Sequence, residues 1–599
     1  MGLNLALQAH NKGDFALAEK HYKKALKVKT LKAILFQNYG ALLRSQERDE
    51  TAGLIYDQGL TIFPRHAGIL ANRANLLRPS HPARALADNL AALRSLLAKG
   101  DSKLIKQAQA IVNTAVGQLR DLKLYQWALA LATESLLWAT AEPGLLLQLL
   151  LIVDELESQQ LALGSDASFN SGTDVDYLEE LYDLIELRIA DSEPMLQAEI
   201  RLGLAAHKLS KVDVDKAIAN YEYAMSILQH HSTEDLDQQK KKQKLVDINS
   251  WNFGCSLLKH QELERGWRLY EYGLRTPAKG RQRWQRALHK PFTASDLPLW
   301  RGETLKGKHL LLLEEQAIGD TMMFLSLVPS LVIESDSIDI LLGHRLLSIY
   351  KRSFEALGLG DSIKILHSKN VKDGDVSPSN FDFQSPIGSI CQYRFTNVKS
   401  YARCSPVLKP KASRVEQLRN EYCSSGSKVD ILVGISWRGG AKGARIKQKS
   451  LSPDAFSKLL KPLPGVRFIS LQYGKVESTI LDWQRQGLDV LHDNRVDPLK
   501  QMDLWLAQVA ACDAVVSVAN TTIHGAGGLD IPTMCLLSIH SDWRWFDDPV
   551  VTRSYWYHSV GIARESRQFG WSDAFKTTRR WLEEGCPAPK GEISTPICT

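Results

Sequence analysis

Two hydrophobic spacings divide this chain of 599 residues. In the back half, short apolar runs alternate with stretches of helical period. Lys308 to Leu313 is one such run, and Ile338–Leu342, Ile363–Leu366, Asp430–Ser436, Val466–Leu471, Ala514–Val518 and Thr533–Leu537 repeat the theme. Short runs rich in Val, Ile and Leu read as strands, and the lack of polar alternation in HLLLL places that strand under cover on both faces. Helical periods lie between them: Thr321 through Leu331, Leu346–Leu357, Pro453–Leu460, Ser478–Gln486, Leu499–Ala511 and the amphipathic Trp571 to Glu584. Strand–helix alternation predicts parallel sheets with helices on their faces. The predicted lobes are residues 276–412, which begin with a connector carrying Pro277, Pro291 and Pro298, and residues 413–599. Residues 368–386, rich in Ser, Asp and Pro, read as loop.

The front half carries no strand pattern. Ala18, Tyr22, Ala25 and Leu26 recur as Ala52, Tyr56, Gly59 and Leu60, an offset of 34 residues at every position. Ala85 and Ala92 continue it at an offset of 33, and weaker echoes run to Trp251, Gly266, Tyr270 and Gly273. Small residues at fixed positions let paired helices approach closely, and the aromatics fill the groove between them. Residues 1–110 are predicted as the regular array and 111–275 as its irregular continuation. Met1 leaves little room for a full first helix. Lys240 to Lys244 reads as a solvated face or linker.

The stretch from Asp513 to Asp548 organises the back half. The strand Ala514–Val518 runs into Asn520, Thr521 and Thr522, which are helix-capping types, then into Gly525, Ala526, Gly527 and Gly528. Free N–H groups at such a helix start attract phosphate. The same pattern also serves an ordinary crossover without a ligand. Ligands in parallel sheets sit beyond the carboxyl ends of the strands, and the polar clusters fall there: Gln316, Gly319 and Asp320; Ser436, Trp437 and Arg438; Gln472; and Asn520, Thr521 and His524.

Composition narrows the options. A net charge of +7, from 74 basic against 67 acidic residues with no dense basic stripe, argues against nucleic acid. Eight cysteines without a C-x-x-C pair fit reduced thiols in a cytoplasmic protein. No leader pattern and no membrane span are predicted. Asp373-Gly374-Asp375 is a D-x-D in a soft loop, a weak pointer to a metal.

The 34-residue period resembles the tetratricopeptide (TPR) pattern. EEQAIGDTMMF, VGISWRGG with KSLSPDAFSKLLKPLPGVRFISLQYG, VVSVANTTIHGAGGLDIPT, and SDWRWFDD with SYWYHSV resemble, in that order, motifs of family 9 (heptosyltransferase-like) glycosyltransferases over about residues 295–585. The fold class so implied is an α-helical TPR-like solenoid followed by an α/β GT-B fold of two Rossmann-like lobes. The resemblance implies a glycosyltransferase of bacterial type, with a nucleotide-activated sugar as donor, no cofactor and no obligatory metal. It makes Asp320, after Gly319 of the glycine loop, the catalytic base; its other reading is a helix N-cap. It sets Ser436, Arg438 and Lys449 against the donor phosphates, Gln472 at the base or ribose, and Asn520, Thr521, Thr522 and His524 at the donor-side helix start. The array suggests a protein partner, with a protein or glycan as acceptor.

Two departures from the family pattern matter. Ala519 stands where many members carry an acidic residue, and Gly525 and Gly528 replace larger apolar residues, which reads as a looser helix. The rival readings are a binding scaffold with inactive lobes, an O-linked N-acetylglucosamine transferase-like enzyme acting on proteins, and a sugar-nucleotide epimerase or hydrolase. Trp543, Trp545, Trp556 and Tyr557 read as packing residues rather than sugar stackers; Trp437 is open between the two.

Overall fold

A computed structural model describes residues 2–98, 102–136, 143–163, 173–191, 193–210, 213–275, 292–315, 317–369, 374–424, 428–440, 449–539, 541–546, 551–566 and 569–589. Pro277, Pro291, Gln316 and Asp373, singled out above, lie outside them. The chain falls into two compact units, Met1–Glu234 and Asp235–Thr599.

The first unit is a run of paired helices, and the repeat positions explain the pairing. Ala18, Tyr22, Ala25, Ala52, Tyr56 and Leu60 are all buried. Tyr22 stacks on Tyr39 with ring centroids 5.3 Å apart. A methyl at Gly40 would lie 2.2 Å from the Tyr56 ring, and one at Gly59 would lie 2.7 Å from Phe36. These glycines are therefore fixed by close helix approach rather than by turns. Asp14 caps helix Phe15–Ala25 by accepting the Leu17 N–H at 3.1 Å. The chain start differs from the expectation. Gly2–Asn11 forms a ten-residue helix that buries Ala6 and Ala9. The apolar run Leu145 to Val153 lies in helix Pro143–Leu163 and is largely buried.

In the second unit, helices Leu236–Lys259 and Leu263–Tyr270 form a hairpin. The sequence grouped it with the array, in 111–275, but its side chains pack into the α/β core. Trp267 donates to the Tyr401 hydroxyl at 3.2 Å and meets Trp543 edge-on at 5.5 Å. Lys240 to Lys244 sits on the mostly exposed first turns of the longer helix rather than in a linker.

Among the described residues ten strands follow in two all-parallel sheets. β1 (His309–Leu313), β2 (Ser337–Leu342), β3 (Ile363–His367) and β4 (Phe383–Pro386) form one sheet in the order β3-β2-β1-β4. β5 (Ile431–Ser436), β6 (Val466–Ser470), β7 (Val490–His492), β8 (Ala514–Val518), β9 (Thr533–Leu537) and β10 (Val560–Arg564) form the other in the order β10-β9-β8-β5-β6-β7. This is the two-lobed GT-B arrangement, with the chain's helical repeats ahead of it.

Three strands escaped the sequence reading. β4 lies inside the expected loop 368–386. Its FQSP sequence has turn composition, and tertiary contacts hold it straight: Leu310 to Leu313 pair with Phe383 to Pro386, and the Asp382 carboxylate accepts the His309 N–H at 2.8 Å. β7 has only three residues, and β10 was hidden behind the aromatic segment before it.

Strand order reverses direction between β1 and β4 in the first lobe and between β5 and β8 in the second. A crevice opens outside the carboxyl ends at such switch points. Helix Ile318–Leu325 starts above β1, and helix Thr521–Gly528 starts directly after β8.

Candidate functional site: a cleft between the lobes

The second-lobe wall is a hydrogen-bonded network. The Gln472 side-chain oxygen accepts from the Ser436 hydroxyl at 3.0 Å and from the N–H groups of Trp437 and Arg438 at 3.1 and 2.8 Å. One amide thus ties the end of β6 to the turn after β5. Asn520 donates to Ser436 Oγ at 2.8 Å and to the Arg438 carbonyl at 3.2 Å, so β8 joins the same network. The Asn520 oxygen accepts the Thr522 N–H at 2.8 Å, capping helix Thr521–Gly528 as the sequence predicts. The Arg438 guanidinium donates to the Tyr473 carbonyl at 2.8 Å and lies over that ring.

The helix behind this wall is tight, which corrects the expectation of a loose one. A methyl at Gly525 would lie 2.7 Å from Trp505, at Gly527 2.4 Å from Tyr557, and at Gly528 2.6 Å from Leu408. Glycine brings the helix against three large side chains at once.

The first lobe delivers Asp320 to the same place. Ala317 occupies the N-cap position of helix Ile318–Leu325, and Asp320 lies in its first turn. The N-cap reading of Asp320 therefore falls: its carboxylate accepts from Arg544 Nε of the second lobe at 2.5 Å, with Asp320 only 4% exposed. Gly319 makes the approach possible, since a methyl there would stand 2.8 Å from His524 Cδ2.

Arg544 and Asp542 were not singled out in the sequence, although both lie in the quoted SDWRWFDD. Asp542 Oδ2 pairs with Lys449 Nζ at 2.8 Å and with Arg544 Nη1 at 2.9 Å. A line of alternating charge thus runs Lys449, Asp542, Arg544, Asp320. Burial pushes the Asp542 carboxyl up, but Arg544 and Lys449 outweigh it and hold the group well below the usual range. Burial pulls Arg544 down, and the two carboxylates outweigh that, so it stays a fixed cation. Burial lowers His524 to about 4, leaving it neutral at pH 7. Its Nδ1 lies 3.2 Å from the Tyr557 hydroxyl, and its ring stacks on Trp545.

The cleft has a volume of about 520 Å³. Of the predicted residues, Gly319, Asp320, Lys449, Asn520, Thr521, Thr522 and His524 line it together. Ser436, Arg438 and Gln472 do not; Ser436 and Gln472 are buried behind the wall, bonded to each other, where they fix its shape. Trp543, Trp556 and Tyr557 are packing residues, as is Trp437, which meets Trp483 at 4.7 Å. Trp545 packs and also reaches the cleft. Among the described residues no helix is long and apolar enough to cross a membrane, and no group of three or more His, Cys, Asp or Glu is placed to hold a metal.

Fold and site define a helical-repeat protein carrying a two-lobed GT-B unit with a charged cleft. No protein-family model matches the chain. It is 27% identical over 271 residues to protein FlbA of Caulobacter vibrioides, an alignment covering 44% of each protein, so the chain spans less than half of that relative's length. Similar solved structures are a family 9 glycosyl transferase from Veillonella parvula (12% identity, 48% of this chain and 94% of that one, TM-score 0.31) and the E. coli ADP-heptose lps heptosyltransferase II (13%, 46% and 96%, 0.32). The helical repeats resemble YrrB, a TPR protein with an unusual peptide-binding site (16%, 35% and 93%, 0.26).

Proposed function

We propose that the chain is a glycosyltransferase that moves a sugar from a nucleotide-activated donor to an acceptor hydroxyl. The observation that carries this reading is the meeting of Asp320, from one lobe, with Lys449, Asn520, Thr521, Thr522 and His524, from the other, in one cleft. The donor diphosphate lies against the second-lobe wall. Its leaving charge is met by Lys449, Arg544, the N–H groups that open helix Thr521–Gly528, and neutral His524. Asp320 takes the proton of the attacking hydroxyl. The bond from the sugar to the diphosphate breaks as the new glycosidic bond forms. Arg544 holds the carboxylate of Asp320 across the cleft, and Ser436, Arg438 and Gln472 act as positioning residues. This chemistry runs on the chain's own side chains, without a metal.

The helical array presents the acceptor, a protein or a partner-bound glycan. Ala519 favours the inactive-scaffold reading; the ordered charge line from Lys449 to Asp320 favours an enzyme. Titration with nucleoside diphosphates, followed by labelled sugar nucleotides with and without cell extract, separates the readings. Nucleotide binding with label transferred to macromolecule is the expected result. Absence of nucleotide binding points to the scaffold, and turnover without acceptor points to an epimerase or hydrolase.

A further inference from the structure

Among the described residues three cationic side chains line the cleft, and two are neutralised in place. Lys449 has Asp542, and Arg544 has Asp320 and Asp542. The third, Arg345, forms no ion pair among the described residues. It stands in the first turn of helix His344–Ala356, immediately beyond the carboxyl end of β2, on the first-lobe side. Its Nη2 donates to the Pro498 carbonyl at 3.0 Å and touches Met502 Sδ at 3.6 Å. Its Nε is buried and has no hydrogen-bond acceptor.

This arrangement is physically incomplete. A guanidinium carries five N–H donors in a planar fork. Here one neutral carbonyl and one thioether are its partners, in a cleft that the apolar Leu499 and Trp505 also line. Arg345 is half-buried, and a cation partly removed from water and left unpaired is stabilised when an anion reaches it. Burial lowers the Arg345 pKa, and the more distant Asp497 and Glu314 only partly oppose this. Glu314 is committed elsewhere, since its Oε2 accepts the Gly343 N–H at 2.7 Å.

We propose that Arg345 forms an oxyanion subsite on the first-lobe wall, which takes a carboxylate or phosphate carried by the acceptor-side ligand. The fork geometry suits a planar carboxylate or two phosphate oxygens. The assignment to the acceptor side rests on the transferase reading; the subsite itself rests on the unpaired guanidinium. It makes the favoured acceptor anionic close to its reacting hydroxyl.

The test uses the full chain as wild type, R345K and R345Q, with calorimetric titration of ADP, GDP, UDP and CDP. Inorganic phosphate and glucuronate are then titrated into protein saturated with whichever nucleotide binds, or into the free protein if none does. In R345Q, phosphate or glucuronate affinity should fall about 10-fold or more, as expected for losing a charge-assisted fork. R345K should recover part of it, and nucleotide affinity should stay within about twofold. The source is read from which probe responds: phosphate alone marks a phosphorylated ligand, glucuronate a carboxylated one. A loss confined to the nucleoside diphosphate overturns the acceptor-side assignment. Anion binding that is absent, or equal in all three proteins, overturns the subsite. Arg345-dependent phosphate binding in a protein that takes no nucleotide keeps the subsite and removes the transferase reading.

Discussion

The two lobes fasten their strand ends with different chemistry. In the first, β1 runs into Glu314 and Glu315. Glu314 accepts the Gly343 N–H at the end of β2, and Glu315 accepts the Gly388 N–H beyond β4 at 2.9 Å. In the second, β5 is tied to β6 and β8 by the neutral amides of Gln472 and Asn520. The task is the same in both: to satisfy backbone and hydroxyl groups at a switch point where the sheet stops supplying partners. A buried carboxylate does so at the cost of desolvation, and burial duly raises the pKa of Glu314. The amide does so without charge and leaves the local field to Lys449, Asp542 and Arg544. The lobe that fastens with acids carries Asp320 into the cleft; the lobe that fastens with amides carries Lys449 and the start of helix Thr521–Gly528 there.

The sharpest way to break this contrast is Asp320→Asn. Transfer should drop by about 10²-fold or more with nucleotide binding retained, measured as turnover beside equilibrium titration. Unchanged turnover in folded protein would remove Asp320 from the chemistry and leave the first lobe without its distinguishing role.

Next is the neutral histidine of the second wall. His524 titrates near 4 when folded against an ordinary value of 6.5. Between those values the unfolded chain binds the proton and the folded one does not, so stability should rise with pH across the interval. The full effect is about 3 kcal/mol at most. His524→Gln should flatten that slope in denaturant melts recorded at a series of pH values; a wild-type slope that persists in the variant would assign it to other groups.

Gln472→Leu strands three donors in a buried place and should destabilise by about 2 kcal/mol. Gln472→Glu keeps an acceptor for all three and should cost less, which asks directly whether an acid can do the amide's work in this lobe. Equal loss in both variants, by urea midpoint, would mean that the amide's own N–H, 3.4 Å from the Tyr473 carbonyl, is what matters. A comparable effect is expected for Gly527→Ala. Its methyl would stand 2.4 Å from Tyr557 Cγ, at the base of a buried ring, and the overpacking should cost about 2 kcal/mol in melting experiments.

Much of the molecule was legible in the sequence because it is local. The 34-residue period, the strand-helix alternation and the Asn520 cap are each set by neighbours along the chain, and each is present in the structure. Seven of the predicted residues meet in the cleft for the same reason: strand ends and helix starts can be placed from periodicity, and parallel topology gathers them.

What the sequence could not decide depends on residues far apart in it. β4 has turn composition and becomes a strand because β1 offers an open edge. Gly525 and Gly528 read as slack until Trp505 and Leu408 fill the space beside them. The cap that was the other reading of Asp320 gave way once Arg544, 224 residues on, claimed its carboxylate. The sequence by itself determined the helical repeats and seven of the ten described strands, since backbone preference and burial period act within a few residues. Only the tertiary structure decided which charges meet, because pairing depends on distance and on exclusion of water, and both exist only once the lobes are assembled.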